Sequence, residues 1–239
     1  MKAIVAAGTL ACMLAGFSAQ VHAQATGGDS ALLDQSSRRQ LERWLGRGEF
    51  TFNNVYTLQP GDTSLDFHSA VDGRGETFTL LQVTNAAGSS YLVGGYNPQS
   101  WSSTDLWHVT ERDWQRTAFI FNLTAPAVYR QVPTTYILPS QGARQTFNRA
   151  DHGPTFGTGP DLFVNDRLDT ALSWQVSYGD PLDEGKSIID RSIGGQLVRI
   201  DAMELYTLAP IPEPAAAGML AAGLGLVGWR LRRRRPPAA

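Results

Sequence analysis

The chain of 239 residues contains a single cysteine, Cys12, and only two lysines, Lys2 and Lys186. Cys12 lies in an N-terminal stretch that is typical of a cleaved secretory leader, so we expect the exported protein to contain no cysteine. That absence excludes disulfide bonds and thiol chemistry from the exported part. Residues 24–211 carry 14 basic and 21 acidic side chains, a net charge near −7 without a basic run, so we expect no nucleic-acid partner.

Motifs of the common enzyme classes are also absent. Three histidines follow the leader, and none lies at a spacing typical of zinc ligands: His68, His108 and His152. The sequence has no Gly-x-Ser-x-Gly nucleophile elbow, and its glycine-rich segment GPTFGTGPDL lacks the Lys-Ser/Thr ending of a phosphate-binding loop. Asp161, Asp166 and Asp169 could bind calcium, but they do not follow EF-hand spacing, and solvated loop acids are commoner. We therefore expect no catalytic residue, no bound metal and no cofactor.

The first 23 residues have the three parts of a secretory signal peptide. Lys2 supplies a positive charge, residues 3–17 are apolar, and the triplet Val21-His22-Ala23 suits signal peptidase. We therefore expect cleavage between Ala23 and Gln24.

The C-terminal stretch also has three parts. Pro212, Glu213 and Pro214 come first, residues 215–229 carry no charged or polar side chain, and five arginines follow: Arg230, Arg232, Arg233, Arg234 and Arg235. A helix of that apolar length spans roughly 22 Å, which is short of the ~30 Å hydrocarbon core, but arginine side chains can reach the headgroups. We predict a single short transmembrane helix with the arginines in the cytoplasm. The alternative is an apolar surface helix followed by a basic tail.

The order of these parts in residues 210–239 resembles the PEP-CTERM sorting signal of Gram-negative bacteria. The resemblance implies cleavage near the motif by an exosortase in the inner membrane, so the membrane anchor would be transient. Prolines keep the peptide extended and free of helix, where a membrane protease can reach it. Signal peptidase and exosortase are then the partners during export, and the exported part is expected at the cell surface or in the extracellular biofilm matrix.

Between the two signals lie 188 residues, enough for one domain. The segment DSALLDQSSRRQLERWLG predicts a helix within residues 24–46 that begins at Asp29 or Ser30 and stops at Gly46. Later runs are short and rich in aromatic and β-branched residues, and they predict antiparallel strands: EFTFNNVYTL, TFTLLQV, SYLVGGY, AFIFNL, DLFVND, LSWQVSY and QLVRIDAMELYTL. In the last run the alternation changes phase, which predicts a β-bulge near Asp201.

Five stretches in order give a second resemblance: LDFHSAVDGRGETFTLLQV, YLVGGYNPQSWSS, AFIFNL, GPTFGTGPDLFVND and MELYTL. Together they are similar to the TLDc domain, which is familiar from eukaryotic oxidation-resistance proteins. The resemblance implies a mainly β (α+β) fold over residues 47–209, a sandwich of two antiparallel sheets with a few flanking helices.

The matching positions are the candidate site residues: His68, Gly94, Gly95, Trp101, Gly153, Phe156, Gly157, Gly159, Asp161 and Glu204. Each also has a structural interpretation. The glycines permit turns and close backbone approach, while Trp101 and Phe156 anchor the core. Asp161 is expected to cap the turn that follows it, and an inward-facing Glu204 carboxylate needs a partner.

We expect a non-catalytic interaction module that binds extracellular polysaccharide or a surface protein. The alternative is a carbohydrate-binding or glycoside-cleaving sandwich, since a β-sandwich can hold two carboxylates at the required distance. The expected contact surface is formed by the loops GGYNPQSWSS and GPTFGTGPDL, with aromatic area from Tyr96, Trp101 and Phe156. Burial of all three would move the surface to another face.

Overall fold

The computed structural model describes residues 32–134 and 141–211. The expected leader with its cleavage point, and the sorting motif with its apolar stretch and arginines, lie outside these ranges. Within them, no helix is both long enough and apolar enough to cross a membrane. The transmembrane helix therefore stays a prediction.

The described residues contain two α-helices, α1 at Gln35–Leu45 and α2 at Ser64–Val71, and two short 3-10 helices at Asp113–Gln115 and Pro181–Asp183. Helix α1 ends at Gly46 as predicted, with φ 71°. Its N-cap is Asp34, because the Asp34 carboxylate accepts the Ser37 backbone N–H at 2.7 Å. The positions expected for the cap, Asp29 and Ser30, lie outside the described residues.

Ten strands follow in chain order: β1 Phe50–Thr57, β2 Thr77–Thr84, β3 Ser90–Asn97, β4 Leu106–Val109, β5 Phe119–Asn122, β6 Ala127–Arg130, β7 Arg144–Asn148, β8 Phe163–Val164, β9 Thr170–Leu172 and β10 Val198–Pro210. Every pairing between them is antiparallel. Eight strands form one sheet in the order β6-β5-β3-β2-β10-β9-β8, with β1 also paired to β10, and β4 and β7 form a second small sheet. The mainly β, antiparallel architecture is confirmed.

Two antiparallel sheets are present, as expected, but they are of unequal size, with eight strands and two. The reason is the length of β10, which has 13 residues. One edge of β10 pairs with β2, while its other edge pairs with β9 near Val198 and with β1 from Glu204 to Pro210. One long strand thus joins strands that would otherwise belong to two sheets. The predicted bulge is confirmed, because the β2–β10 register shifts between Ile200 and Ala202.

Both faces of the large sheet are buried. On one face, Leu41 of α1 packs into a cluster with the strand residues Phe52, Phe78, Leu80 and Phe121. On the other face, α2 contributes to a second cluster together with strand and loop residues: Phe67, Val71, Leu81, Val83, Val93, Trp101 and Phe156. Alternating side chains of β2 therefore enter two different cores.

The predicted strand LSWQVSY is wrong beyond Leu172, where β9 ends. Residues 173–178 are irregular, because the backbone N–H groups of Val176, Ser177 and Tyr178 donate to the Asp161 carboxylate and not to a neighbouring strand. Three short strands were not predicted, and two of them, β4 and β7, make the second sheet.

Candidate binding groove

A groove of about 240 Å³ lies between the small sheet and the loops that precede and follow β8. The side chains and backbone that line it come from β4, β7, β8, β9 and the segment 152–160: Trp107, Phe147, His152, Thr155, Gly157, Thr158, Pro160, Phe163 and Leu172. Four of these nine residues carry an aromatic or imidazole ring. Such a concave surface with a few polar groups has the composition of a ligand-binding site.

The four rings form a continuous row. Trp107 and Phe147 are directly opposite in the β4–β7 pair, with ring centroids 4.5 Å apart. Phe147 lies 5.1 Å from the His152 ring, and His152 lies 5.4 Å from Phe163, both edge to face. All four side chains are partly exposed. The row therefore presents apolar ring surface to solvent along one wall of the groove.

Backbone hydrogen bonds fix β7 against the groove floor. The Gln145 carbonyl accepts the Gly157 N–H at 3.0 Å and the Tyr178 hydroxyl at 2.7 Å. The Phe147 N–H donates to the Thr155 carbonyl at 3.0 Å. Phe147 is thus held by the segment that supplies the opposite wall.

Asp161 organises the floor from beneath. Its side chain is fully buried, and Oδ1 accepts the backbone N–H groups of Val176, Ser177 and Tyr178 at 2.7, 2.8 and 2.8 Å. The Gly159 N–H donates to Oδ2 at 3.3 Å. Burial raises the pKa of Asp161 to about 7, although these amides act in the opposite direction. The expectation that Asp161 caps the turn that follows it is wrong. Its carboxylate instead binds a segment 15 to 17 residues away.

His68 ties the groove to α2. Its Nε2 lies 2.8 Å from the Arg149 carbonyl oxygen and 3.1 Å from that of His152, while Nδ1 lies 2.7 Å from Asp72 Oδ1. The His152 ring itself lies 2.8 Å from Asp151, and this hydrogen bond lowers the pKa of Asp151. Asp151 also pairs with Arg149 at 2.6 Å, so its charge is compensated locally.

Two family models match the chain. The model of the TLDc domain covers residues 27–209, and the model of the PEP-CTERM protein-sorting motif covers residues 210–235. The chain belongs to the TLDc family. Both resemblances seen in the sequence are thereby confirmed. A comparison with curated proteins found no match.

The aromatic surface expected for this TLDc domain is corrected. Tyr96, Trp101 and Phe156 are 2, 1 and 0% exposed, so none of them can contact a partner. Large apolar rings gain most from complete burial, and all three pack into the two cores. The loop GPTFGTGPDL does line the groove, but through Thr155, Gly157, Thr158 and Pro160.

Other candidate residues of the TLDc domain do not line the groove. Glu204 is buried in β10, and its carboxylate accepts the Tyr206 hydroxyl and the Leu32 N–H. Gly94 lies beneath Phe121, and a Cβ at Gly153 would come within 2.7 Å of the Leu168 side chain. These positions are explained by packing and hydrogen bonding.

A second hollow of about 330 Å³ lies at the start of α2. Its lining consists of small, aliphatic and charged side chains without an aromatic ring: Thr63, Ser64, Leu65, Ala150, Asp151, Asp166 and Arg167. No group of three or more His, Cys, Asp or Glu residues in the described ranges is placed to hold a metal ion. The aromatic groove is therefore the stronger candidate for a binding site.

Sequence reasoning missed the groove because its rings come from short elements. Trp107 and Phe147 lie in strands of four and five residues that show no clear apolar alternation. Phe147 and Phe163 belong to one row because the His152 ring lies between them, 5.1 and 5.4 Å from the two rings. The signal available in the sequence was one aromatic residue in each of three short strands: Trp107, Phe147 and Phe163.

Proposed function

We propose that the TLDc domain is a non-catalytic binding module whose contact surface is the aromatic groove and whose ligand is an extracellular polysaccharide. The observation that supports it is the row of partly exposed rings from Trp107 to Phe163. The apolar face of a sugar ring packs on such rings, while its hydroxyl groups find polar atoms at the rim. Thr158, which is exposed, and the His152 ring supply such atoms.

The absence of turnover is part of the proposal. None of the nine residues that line the groove carries a carboxylate, whereas glycoside hydrolysis ordinarily needs two. The carboxylate of Asp161 lies behind Gly157, fully buried and bound to four backbone amides. Asp151 is held by Arg149 and His152. Neither acid is positioned to act on a ligand in the groove.

The sorting motif bears on where in the cell envelope the domain acts. A PEP-CTERM motif supports export of the protein and processing by an exosortase. We propose that the membrane-anchored intermediate is cleaved near Pro212-Glu213-Pro214 and that the domain then reaches the cell surface or the biofilm matrix. A polysaccharide ligand would retain it there.

Retention on the matrix of the producing bacterium tests this function. Trp107→Ala and Phe163→Leu should release the exported protein from washed matrix, because each removes one ring from the row. Trp114→Ala is the matched control, since Trp114 is 72% exposed and does not line the groove. Equal retention of all variants would contradict the proposal, and a thermal melt of each variant separates loss of binding from loss of folding.

A surface-protein partner is the second candidate. Three of the most exposed large apolar side chains lie in one loop region, Leu182, Ile193 and Leu197. Apolar side chains exposed together mark protein contact sites more often than sugar sites. Retention that is lost on treating the matrix with protease, and kept on treating it with glycosidases, would favour this candidate. Release of sugar fragments by the purified protein would instead support a glycoside hydrolase.

A further inference from the structure

The cation that borders the groove at its Trp107 end has no acidic partner within the part of the chain that the structure describes. Arg144, the first residue of β7, is exposed, and its guanidinium lies over the Trp107 ring at 5.0 Å from the centroid. The register places it diagonal to Trp107, since Arg144 pairs with Val109 and Trp107 pairs with Phe147. The guanidinium therefore lies at the Trp107 end of the aromatic row.

Arg144 differs from the arginine at the other end of β7. Arg149, which directly follows β7, pairs with Asp151 at 2.6 Å. No acidic side chain pairs with Arg144 among residues 32–134 and 141–211. Its contact with Trp107 orients the guanidinium plane but leaves its N–H donors to solvent.

We propose that the groove binds an acidic sugar, a hexuronate unit of a polyanionic polysaccharide, with its ring on the aromatic row and its carboxylate on Arg144. This inference rests on the proposed function, because it names the ligand class of the same groove. The planar fork of a guanidinium matches the two oxygens of a carboxylate, and such pairs are among the strongest hydrogen-bonded contacts. A volume of about 240 Å³ suits a single sugar unit of the polymer better than several.

The net negative charge of the domain disfavours polyanions on most of its surface. Residues 24–211 carry a net charge near −7, which repels polyanions from most of the surface. A polyuronate therefore binds best where a cation is locally uncompensated. Asp151, the acid that contacts the His152 ring of the row, is compensated by Arg149 and His152. Arg144 then provides selectivity for an acidic sugar over a neutral one.

Binding of oligogalacturonate by the full chain, purified in mild detergent, is the test. The methyl ester of the same oligosaccharide has the same rings without the negative charge, and dextran is a neutral control polymer. We expect the acid to bind at least about tenfold more tightly than the ester, the range of one charge-assisted contact. Isothermal titration calorimetry measures both.

Variants of Arg144 test whether this residue determines the preference for an acidic sugar. Arg144→Gln should remove the preference for the acid over the ester, and Arg144→Lys should restore only part of that preference because the fork is lost. Arg39→Gln is the matched control, since Arg39 is exposed on α1, which packs on the other face of the large sheet. Equal binding of acid and ester by the wild type, or an unchanged preference in Arg144→Gln, would overturn the inference.

Different experimental results would contradict the acidic-sugar inference and the proposed function. If neither oligosaccharide binds but Trp107→Ala still releases the protein from matrix, the acidic-sugar inference is wrong and the proposed function stands. If Trp107→Ala and Phe163→Leu leave matrix retention unchanged, the proposed function is wrong.

Discussion

Asp161 joins two segments that are distant in the chain, and the groove depends on it. Its carboxylate binds amides of residues 176–178 on one side and lies against Gly157 on the other. Tyr178, positioned by this contact, donates to Gln145 in β7. A single buried side chain thus sets the relation between the loop floor and the strand that carries Phe147.

Replacement of Asp161 separates its hydrogen bonds from its charge. Asp161→Ala leaves four backbone N–H groups without this acceptor, and we expect a loss of several kcal/mol of unfolding free energy, at about 1–3 kcal/mol for each buried group. Asp161→Asn keeps one acceptor oxygen and should cost less. Urea unfolding measures both variants, and equal losses would contradict the assigned role.

The pH dependence of stability follows from the same residue. Burial raises the pKa of Asp161 from 3.8 to about 7, so between these values the folded chain keeps a proton that the unfolded chain has lost. Its stabilising contribution is full below about pH 4 and decreases as the pH rises to about 7, by at most roughly 1.4 kcal/mol per pH unit. Urea unfolding at several pH values measures this effect. The unfolding free energy of Asp161→Asn should decrease less than that of the wild type as the pH rises from about 4 to about 7.

Gly157 is required by backbone conformation and by space. Its φ is +71°, in the left-handed region, and a Cβ would collide with the Asp161 carboxylate. Gly88 is the matched position, with φ +81° and nothing within 4 Å of its Cβ. Gly88→Ala should cost about 1 kcal/mol from strain alone, whereas Gly157→Ala should cost clearly more. Similar losses of unfolding free energy in the two variants would show that the Asp161 contact does not matter.

At the scale of elements, β10 is the centre of the sheet. It pairs with β1, β2 and β9, and Leu205 on it is fully buried in the core that α2 covers. Leu205→Ala should lower the unfolding free energy by about 2–5 kcal/mol, because it leaves a cavity in a packed core. Leu197→Ala, at a residue 62% exposed just before β10, should change it by less than about 0.5 kcal/mol. Denaturant melts of the two variants make the comparison.

Most strands of the large sheet could be predicted because they are rich in aromatic and β-branched residues. The bulge at Asp201 appears in the sequence of β10 as a change of phase. Residues 173–178 also contain aromatic and β-branched side chains, yet the amides of residues 176–178 bind a side chain. Local pattern contains no information about that distant acceptor, so the strand predicted there was wrong.

The groove could not be predicted for a related reason. Exposure of a ring depends on which elements cover it, and Tyr96, Trp101 and Phe156 are covered by packing from elsewhere in the chain. Trp107 and Phe147 remain partly exposed, and no residue of β4 is buried. The glycine-rich loop lines the proposed groove and brings its backbone close to Asp161.

At the scale of the whole molecule, the folded domain and the sorting motif are adjacent. The TLDc match ends at residue 209 and the PEP-CTERM match begins at residue 210. Glu213→Ala should leave a longer form in the membrane, because it changes the central residue of the motif. Glu184→Ala, at an exposed acid in a loop of the domain, should be processed normally. The intact mass of the exported protein distinguishes the two, and a normally shortened Glu213→Ala product would contradict the prediction.

The last strand of the sheet ends close to the sorting motif. β1 pairs with β10 as far as Phe50 and Pro210, so only Ile211 separates the paired strand from Pro212. A membrane protease that cleaves near the motif must act beside a folded sheet, where access to an extended peptide is restricted. Insertion of a six-residue Gly-Ser spacer after Ile211 should therefore raise the rate of processing, measured by pulse-chase. The same spacer in the turn at Gly88, between β2 and β3, should leave the rate unchanged. A slower rate with the spacer after Ile211 would indicate that the protease instead recognises the sheet and the motif together.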